Sequence, residues 1–176
     1  MDRGSFLKTV MFAPSVAAGF AGKGLQDVQT TGLRRLGSDR SFTFWKPEMK
    51  AAWHVGIGEV VIVEMSHGMP GLVTREGKFM DAGPDSIINP QTGPIFVDGI
   101  DPGDSLAIDI LDIKVGDWGY CSKRIFELKD GFAEFSKTLK LPLEPMIGGI
   151  GVAPSEGSVD TRTPGDTGGN LDCREV

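Results

Sequence analysis

Two oxygen-bearing side chains near the C-terminal end, Asn170 and Asp172, are the residues best placed to do chemistry. They alternate around Leu171, so both would lie on one face of an extended segment. Gly168 and Gly169 precede them and leave the main chain uncovered. A glycine-floored loop that presents a carboxylate is a plausible reactive site. The alternative is an ordinary turn with a solvated aspartate, because Asp and Asn favour turns for local reasons.

His67 is a further candidate site residue. It follows the segment 60–65, VVIVEM, whose near-continuous apolar character predicts a strand buried on both faces. A histidine where such a strand opens into a loop is well placed, since loops on rigid scaffolds carry chemistry. A surface or structural histidine is the alternative. The same alternative is favoured for His54, which has no local partner at metal-ligand spacing.

The segment 146–154, MIGGIGVAP, leads towards the loop that carries Asn170 and Asp172. Its apolar residues predict a buried strand that contains three glycines. Glycine weakens a strand, so three of them predict that another group approaches the backbone closely.

The rest of the chain predicts short strands separated by turns. In the segment 106–115 the apolar positions change parity between Ile110 and Leu111, which predicts a β-bulge there or a strand that passes between sheets. Asp130-Gly131 predicts a hairpin turn. At least seven strands and no convincing amphipathic helix after residue 40 indicate an all-β fold, a β-sandwich or irregular β-barrel with Gly/Pro-rich loops.

The bulk composition narrows the functional classes. The 176 residues carry a net charge of -6, which disfavours nucleic-acid binding because phosphates require a basic surface. Apolar residues make up 40% of the chain, compatible with a core. The two cysteines, Cys121 and Cys173, form neither a disulfide framework nor a local metal pair.

Residues 1–24 resemble a signal peptide, followed by a leader or linker over 25–40 and a β domain over 41–176. Arg3 and Lys8 precede a short apolar run that is too brief for a membrane span, so no span is expected in the mature chain. The start resembles a twin-arginine export signal with Gly4 in place of the second arginine. The expected location is periplasmic or secreted. A packed N-terminal helix in a cytoplasmic protein is the alternative.

Two sequence blocks together resemble the acetamidase/formamidase family. The first, 89–99, reads NPQTGPIFVDG and continues into Pro-Gly-Asp at 102–104. The second is MIGGIGVAP at 146–154, followed by TPGD at 163–166 and GGNLD at 168–172. The resemblance covers residues 41–172 and implies a β-rich, sandwich-like fold.

The resemblance implies hydrolysis of a small amide, such as formamide or acetamide, to ammonia and the acid. The chain lacks a Gly-x-Ser-x-Gly nucleophile elbow, so a metal-activated water is the better fit. Asp172 would then be a base or a ligand of a divalent metal, zinc or calcium, with His67 as a second candidate ligand. Asn170 would orient water or substrate. The N–H groups of Gly168 and Gly169 would receive the substrate carbonyl oxygen.

The family pattern continues downstream with Gly-Asp-x-His and Gln-Gly-Asp-Gly-Glu, neither of which occurs here. One carboxylate does not make a metal site. We therefore expect an incomplete domain that is inactive until it joins a complementary C-terminal half or forms a homo-oligomer. The alternative is a non-catalytic β-sandwich module that binds or supports another molecule.

Overall fold

In the computed structural model the chain is described over residues 6–11 and 32–170, with the backbone alone for 6–11 and Asn170. These residues form strands and turns without a helix. No helix long and apolar enough to cross a membrane occurs in these ranges. The strands are β1 (Phe6–Met11), β2 (Arg34–Leu36), β3 (Ser41–Phe42), β4 (Phe44–Trp45), β5 (Trp53–Gly56), β6 (Val60–Met65), β7 (Gln91–Thr92), β8 (Ile95–Asp98), β9 (Asp109–Ile113), β10 (Trp118–Cys121), β11 (Arg124–Lys129), β12 (Phe132–Glu134), β13 (Lys140–Pro142), β14 (Gly149–Gly151), β15 (Val159–Asp160) and β16 (Gly168–Asn170).

The strands form two four-stranded sheets and four two-stranded ribbons. One sheet has the order β2-β6-β1-β9, and the other has the order β10-β11-β12-β13. The ribbons are β14–β16, β15–β4, β3–β7 and β5–β8. None of these sheets closes into a barrel within the described ranges. The predicted all-β fold is confirmed as an irregular, sandwich-like arrangement.

The core lies where β2, β5, β6 and β8 meet. Its members are aliphatic side chains at most 9% exposed: Leu36, Val55, Val61, Val63 and Val97. Ile147, two residues before β14, packs against this cluster and anchors the glycine-rich segment to the core. The predicted strand 60–65 is confirmed as β6, and its three central residues are buried. Within the segment expected to be a leader, β2 pairs in parallel with β6.

The predicted irregularity in the segment 106–115 is present in the pairing of β1 with β9. Thr9 pairs with Asp112, whereas Met11 pairs with Asp109. One residue of β1 therefore lies opposite two residues of β9, which are Ile110 and Leu111. This is the definition of a β-bulge, and it lies at the predicted position.

Two predicted turns are also confirmed. Asp130 and Gly131 connect β11 to β12, and both have positive φ, 53° and 79°. This is the pattern of a type I′ hairpin turn. In the second turn, Asp104 donates its N–H to the carbonyl of Asp101 at 3.0 Å, and Gly103 has φ 101°. A positive φ at the third position identifies a type II turn and gives these aspartates a structural role.

Candidate functional site

The glycine-rich segment 146–154 contributes only a three-residue strand, β14, which pairs with β16. Gly149 lies opposite Asn170, Ile150 opposite Gly169, and Gly151 opposite Gly168. The predicted strand is present, but it spans only three residues, and these are half-buried instead of buried. The prolines and further glycines around it cannot sustain a ladder.

Gly168 and Gly169 need to be glycine for conformational reasons. Their φ angles are 89° and 103°, in the region that L side chains rarely adopt. A Cβ atom on Gly169 would also lie 2.5 Å from the carbonyl oxygen of Thr163. The turn is closed by two hydrogen bonds, from Gly168 N–H to Gly165 O at 2.8 Å and from Gly165 N–H to Gly168 O at 3.0 Å.

This geometry bears on the predicted oxyanion donors. The N–H of Gly168 already donates to Gly165, so it would have to exchange that bond to bind a substrate carbonyl. Gly169 is buried. The backbone of Asn170 lies in β16. Asp172 lies outside the described residues, so its predicted role stays a prediction.

The prediction that another group approaches the glycine-rich backbone is confirmed at two positions. At Gly149 the position of a Cβ atom would be 2.8 Å from Nε2 and 3.3 Å from Oε1 of Gln91. At Gly151 it would be 2.8 Å and 3.0 Å from two carbons of the Trp45 ring. Positions two apart on a strand face the same side. One face of β14 is therefore covered by a side-chain amide and an indole.

His67 lies beside an aromatic group formed by Trp118 and Tyr120. Its ring makes edge-to-face contacts with both, at centroid distances of 5.5 Å and 5.8 Å. Its Nδ1 accepts the N–H of Met69 at 3.3 Å. Burial lowers the pKa of His67 because desolvation penalises the imidazolium. At neutral pH the ring is therefore neutral, with its proton on Nε2 and its Nδ1 lone pair engaged.

Asn89 connects the His67 loop to β7. Its N–H donates to the carbonyl of Gly68 at 2.6 Å, and its Oδ1 is 2.7 Å from the position of a Cβ atom on that glycine. Asn89 has φ 48°, a left-handed conformation that asparagine tolerates better than most residues. Gln91, two residues later, donates from Nε2 to the carbonyl of Asn89 at 3.3 Å. A line of contacts therefore runs from Gly68 through Asn89 and Gln91 to Gly149.

The loop between β15 and β16 is held by an ion pair. Arg162 donates from Nε and Nη2 to Asp160 at 2.8 Å and 2.5 Å, and its backbone N–H donates to the same carboxylate at 2.8 Å. The Arg162 hydrogen bonds lower the pKa of Asp160 to about 2. A carboxylate held in this way is a structural anion and a poor proton acceptor at neutral pH.

The described part of the chain does not supply a metal centre. In the two described ranges no three His, Cys, Asp or Glu side chains come together to hold an ion. Beside β14 the described side chains are the amide of Gln91 and the indole of Trp45, and the Nδ1 of His67 is already engaged by the Met69 N–H. Divalent cations require several oxygen, nitrogen or sulfur ligands, so these residues alone do not fit one.

Sequence reasoning missed Asn89, Gln91 and Tyr120. Asn89 and Gln91 lie inside the block 89–99, which contributed only to the family resemblance. The sequence does hold a signal for these two amide side chains. They lie close to Pro90 and Gly93, two residues that restrict or require particular backbone conformations. Tyr120 had no local signal, because only the fold brings it to His67.

Comparisons with known proteins agree with the family resemblance, and the family model covers the first of the two sequence blocks. The family model described as "Acetamidase/Formamidase family" matches residues 35–140. No match was found among curated proteins. Among solved structures, an acetamidase from Bacillus halodurans is 32% identical with a TM-score of 0.71, over 81% of this chain and 54% of that one.

Two other solved structures have the same fold. A predicted acetamidase/formamidase from the thermophile Thermoanaerobacter tengcongensis is 28% identical, with a TM-score of 0.63, over 79% of this chain and 52% of that chain. An acetamidase from Yersinia enterocolitica is 20% identical, with a TM-score of 0.62, over 82% and 53%. At that identity the Yersinia protein shows the fold alone. This chain spans about half the length of each of these proteins.

Proposed function

The chain belongs to the acetamidase/formamidase family, and we propose that it is the N-terminal half of an enzyme that hydrolyses small primary amides. The observation that carries the proposal is the contact between the two blocks typical of the family. Gln91, from the first block, lies against Gly149, from the second. Residues far apart in sequence thus form one polar, glycine-lined surface.

In the proposed enzyme this half contributes binding and orientation. The β14–β16 ribbon would support the substrate, with Asn170 orienting water or substrate and Asp172 acting as a base or a metal ligand. The N–H groups of Gly168 and Gly169 would stabilise the developing oxyanion once the bond from Gly168 to Gly165 is exchanged. Neutral His67, with its proton on Nε2, would serve as a hydrogen-bond donor.

A divalent metal, zinc or calcium, remains part of the proposal only for the assembled enzyme. When bound, such an ion would polarise the amide carbonyl or lower the pKa of a bound water. His67 could ligate it only after releasing the N–H of Met69 or changing its tautomer. The described residues do not form a metal site by themselves. Elemental analysis of the assembled enzyme would test for it.

Exposed apolar side chains support the proposed need for a complementary half. Phe132, Phe135, Leu139 and Leu141 are 39–46% exposed around the paired strands β12 and β13. β13 is also an edge strand of its sheet. Apolar surface around an uncovered sheet edge favours association with another protein segment.

The test measures ammonia release from formamide and acetamide. The chain is assayed alone and after co-expression with the C-terminal half of the Bacillus halodurans acetamidase. We expect ammonia only from the co-expressed pair. The variant Asp172→Asn should abolish it, whereas Asp166→Asn, an exposed aspartate of the same loop, should not.

Two results would contradict the proposal. Ammonia release by the chain alone at the rate of a full-length relative would exclude the half-enzyme hypothesis. A stable complex of the two halves that releases no ammonia would favour the alternative, a non-catalytic binding module. Oligomeric state, measured by light scattering, would separate a pair of halves from a homo-oligomer.

A further inference from the structure

Gly149 makes room for the side-chain amide of Gln91. Its φ is not among the positive values, so its backbone would accept an L side chain. What excludes one is space, because a Cβ atom would lie 2.8 Å from Nε2 and 3.3 Å from Oε1 of Gln91. Both ends of the amide are thus held close to the glycine. The amide plane therefore lies against the backbone of β14.

The hydrogen-bonding capacity of this amide is largely unused. A glutamine side chain has two donors and an acceptor with two lone pairs. Among the described residues Gln91 makes one side-chain hydrogen bond, from Nε2 to Asn89 O at 3.3 Å, which is long. Its Oε1 accepts no hydrogen bond in that part of the chain. A half-buried amide whose acceptor the described residues leave free is suited to bind a ligand.

Gly151, on the same face of β14, also lies against a side chain with an unused hydrogen-bonding group. Trp45 lies over Gly151, and its buried indole Nε1–H has no acceptor among the described residues. Gly149 and Gly151 are two residues apart, so these glycines lie roughly 7 Å from each other along the strand. Buried donors are normally paired, so an unpaired one identifies a region short of acceptors. A ligand with a carbonyl oxygen would suit this face.

We propose that Gln91 is the residue that recognises the substrate amide and makes the site specific for primary amides. The inference rests on the proposed function. Two primary amides pair through two antiparallel N–H···O bonds, with Gln91 Nε2 donating to the substrate carbonyl and Gln91 Oε1 accepting from its NH₂ group. A carboxylate product has no N–H donor, and a tertiary amide has none either. Binding either ligand would leave the half-buried Oε1 of Gln91 cut off from water without a donor, which disfavours both.

The test observes binding separately from hydrolysis. In a ¹H–¹⁵N spectrum of the chain, the side-chain NH₂ signal of Gln91 is assigned from its loss in Gln91→Glu. We expect acetamide to shift this signal and its shift to saturate. Sodium acetate and N,N-dimethylacetamide at the same concentrations should leave it in place.

A second measurement uses the co-expressed pair of halves. Gln91→Glu keeps the shape of the side chain but replaces the NH₂ donor, and we expect KM for acetamide to rise about 10-fold with a smaller change in kcat. One lost hydrogen bond of typical net strength gives this factor. Gln91→Leu, which removes both polar atoms, should raise KM further.

The outcomes separate this inference from the proposed function. A Gln91 signal that acetamide shifts, in a protein pair without amidase activity, would support the recognition site and reject the catalysis. A pair that hydrolyses acetamide with wild-type KM in both variants would reject Gln91 and retain the function. An unmoved signal together with inactivity would reject both.

Discussion

Asn89 and Gly68 are joined by two close approaches, although they are 21 positions apart in the sequence. The backbone N–H of Asn89 donates to Gly68 O at 2.6 Å, and its Oδ1 lies 2.7 Å from the position of a Cβ atom on that glycine. This contact fixes the loop that carries His67 against the segment that carries Gln91. The geometry of the candidate site therefore depends on glycines that leave room for amide side chains.

The first prediction concerns the loss of stability when a methyl group is added at a glycine of β14. In Gly151→Ala the new methyl group would meet the carbonyl oxygen of Thr167 at 2.7 Å and the Trp45 ring at 2.8 Å. Neither can move freely, so we expect the free energy of unfolding to fall by about 1–3 kcal/mol. Gly149→Ala should cost less, because the end of the Gln91 side chain can rotate away. Urea denaturation followed by fluorescence measures both.

Gly165→Ala is the matched control for these variants. A methyl group there would meet no atom of the described residues within 4 Å, and the φ of Gly165 is not positive. The free energy of unfolding should stay unchanged or rise slightly, because alanine restricts the unfolded chain. Equal destabilisation by Gly151→Ala and Gly165→Ala would contradict the close approach.

Local features of the fold were predictable from sequence, and contacts across the fold were not. The run of apolar residues at 60–65 and the Asp130-Gly131 turn act over a few residues, so their signals are local. The bulge at Ile110 and Leu111 was predictable because the change of the apolar positions from even to odd numbers is visible within the strand's own sequence. The two-residue strands have no such signal, since each exists only through its partner.

The candidate site shows the same division. The three glycines near β14 predicted that a group approaches the backbone, but not that the groups are Gln91 and Trp45. A glycine in a strand indicates that another group lies close to the backbone, but it does not indicate which group. The N–H of Gly168 was predicted to be available, whereas the turn pairs it with Gly165. Only the backbone path determines that bond.

The second prediction concerns Thr161, which is fully buried and whose hydroxyl has no hydrogen-bond partner in the part of the chain that the structure describes. An unsatisfied buried hydroxyl costs free energy, and valine has nearly the same shape. Thr161→Val should therefore raise the free energy of unfolding by about 1 kcal/mol. Thermal and urea denaturation both measure the change.

Thr92→Val provides the opposite case. The hydroxyl of Thr92 donates to the carbonyl oxygen of Glu64 at 2.7 Å. Removing it leaves that acceptor unpaired, so the same substitution should here lower the free energy of unfolding by about 1 kcal/mol. A stabilised Thr92→Val, or a destabilised Thr161→Val, would contradict the assignment of a hydrogen-bonded hydroxyl to Thr92 and an unpaired one to Thr161.

The third prediction is a pH dependence that arises from His67. Its pKa is lowered by burial in the folded protein, below the ordinary value of 6.5. The unfolded chain therefore binds a proton more readily, and stability falls as the pH drops from above 6.5 through the lowered pKa. His67→Gln does not titrate and retains an acceptor for the Met69 N–H. Between pH 8 and pH 5 the variant should lose less stability than the wild type, as measured by urea denaturation. Parallel pH profiles would contradict the predicted burial effect.

The fourth prediction concerns β1, which lies in the segment 1–24 that resembles a signal peptide. Its backbone pairs with six residues of β6 and with β9 on its other side. Cleavage near residues 22–26 would remove this strand and leave the facing N–H and C=O groups of β6 and β9 to water. A chain lacking residues 1–24 should therefore lose roughly 3 kcal/mol or more of unfolding free energy, at a typical net value per hydrogen bond.

Removal of residues 1–5 is the control for that deletion, because these residues precede the ladder. It should leave the unfolding free energy unchanged. Thr9→Pro offers a second route, since Thr9 pairs with Ile62 on one side and Asp112 on the other, and proline cannot donate to either strand. We expect it to destabilise the chain in the same direction as the longer deletion. If the chain lacking residues 1–24 is as stable as the full chain, and the exported protein starts near residue 22, export with cleavage describes these residues better than a structural strand. Mass spectrometry of the exported protein, together with denaturation of both deletions, decides between the two.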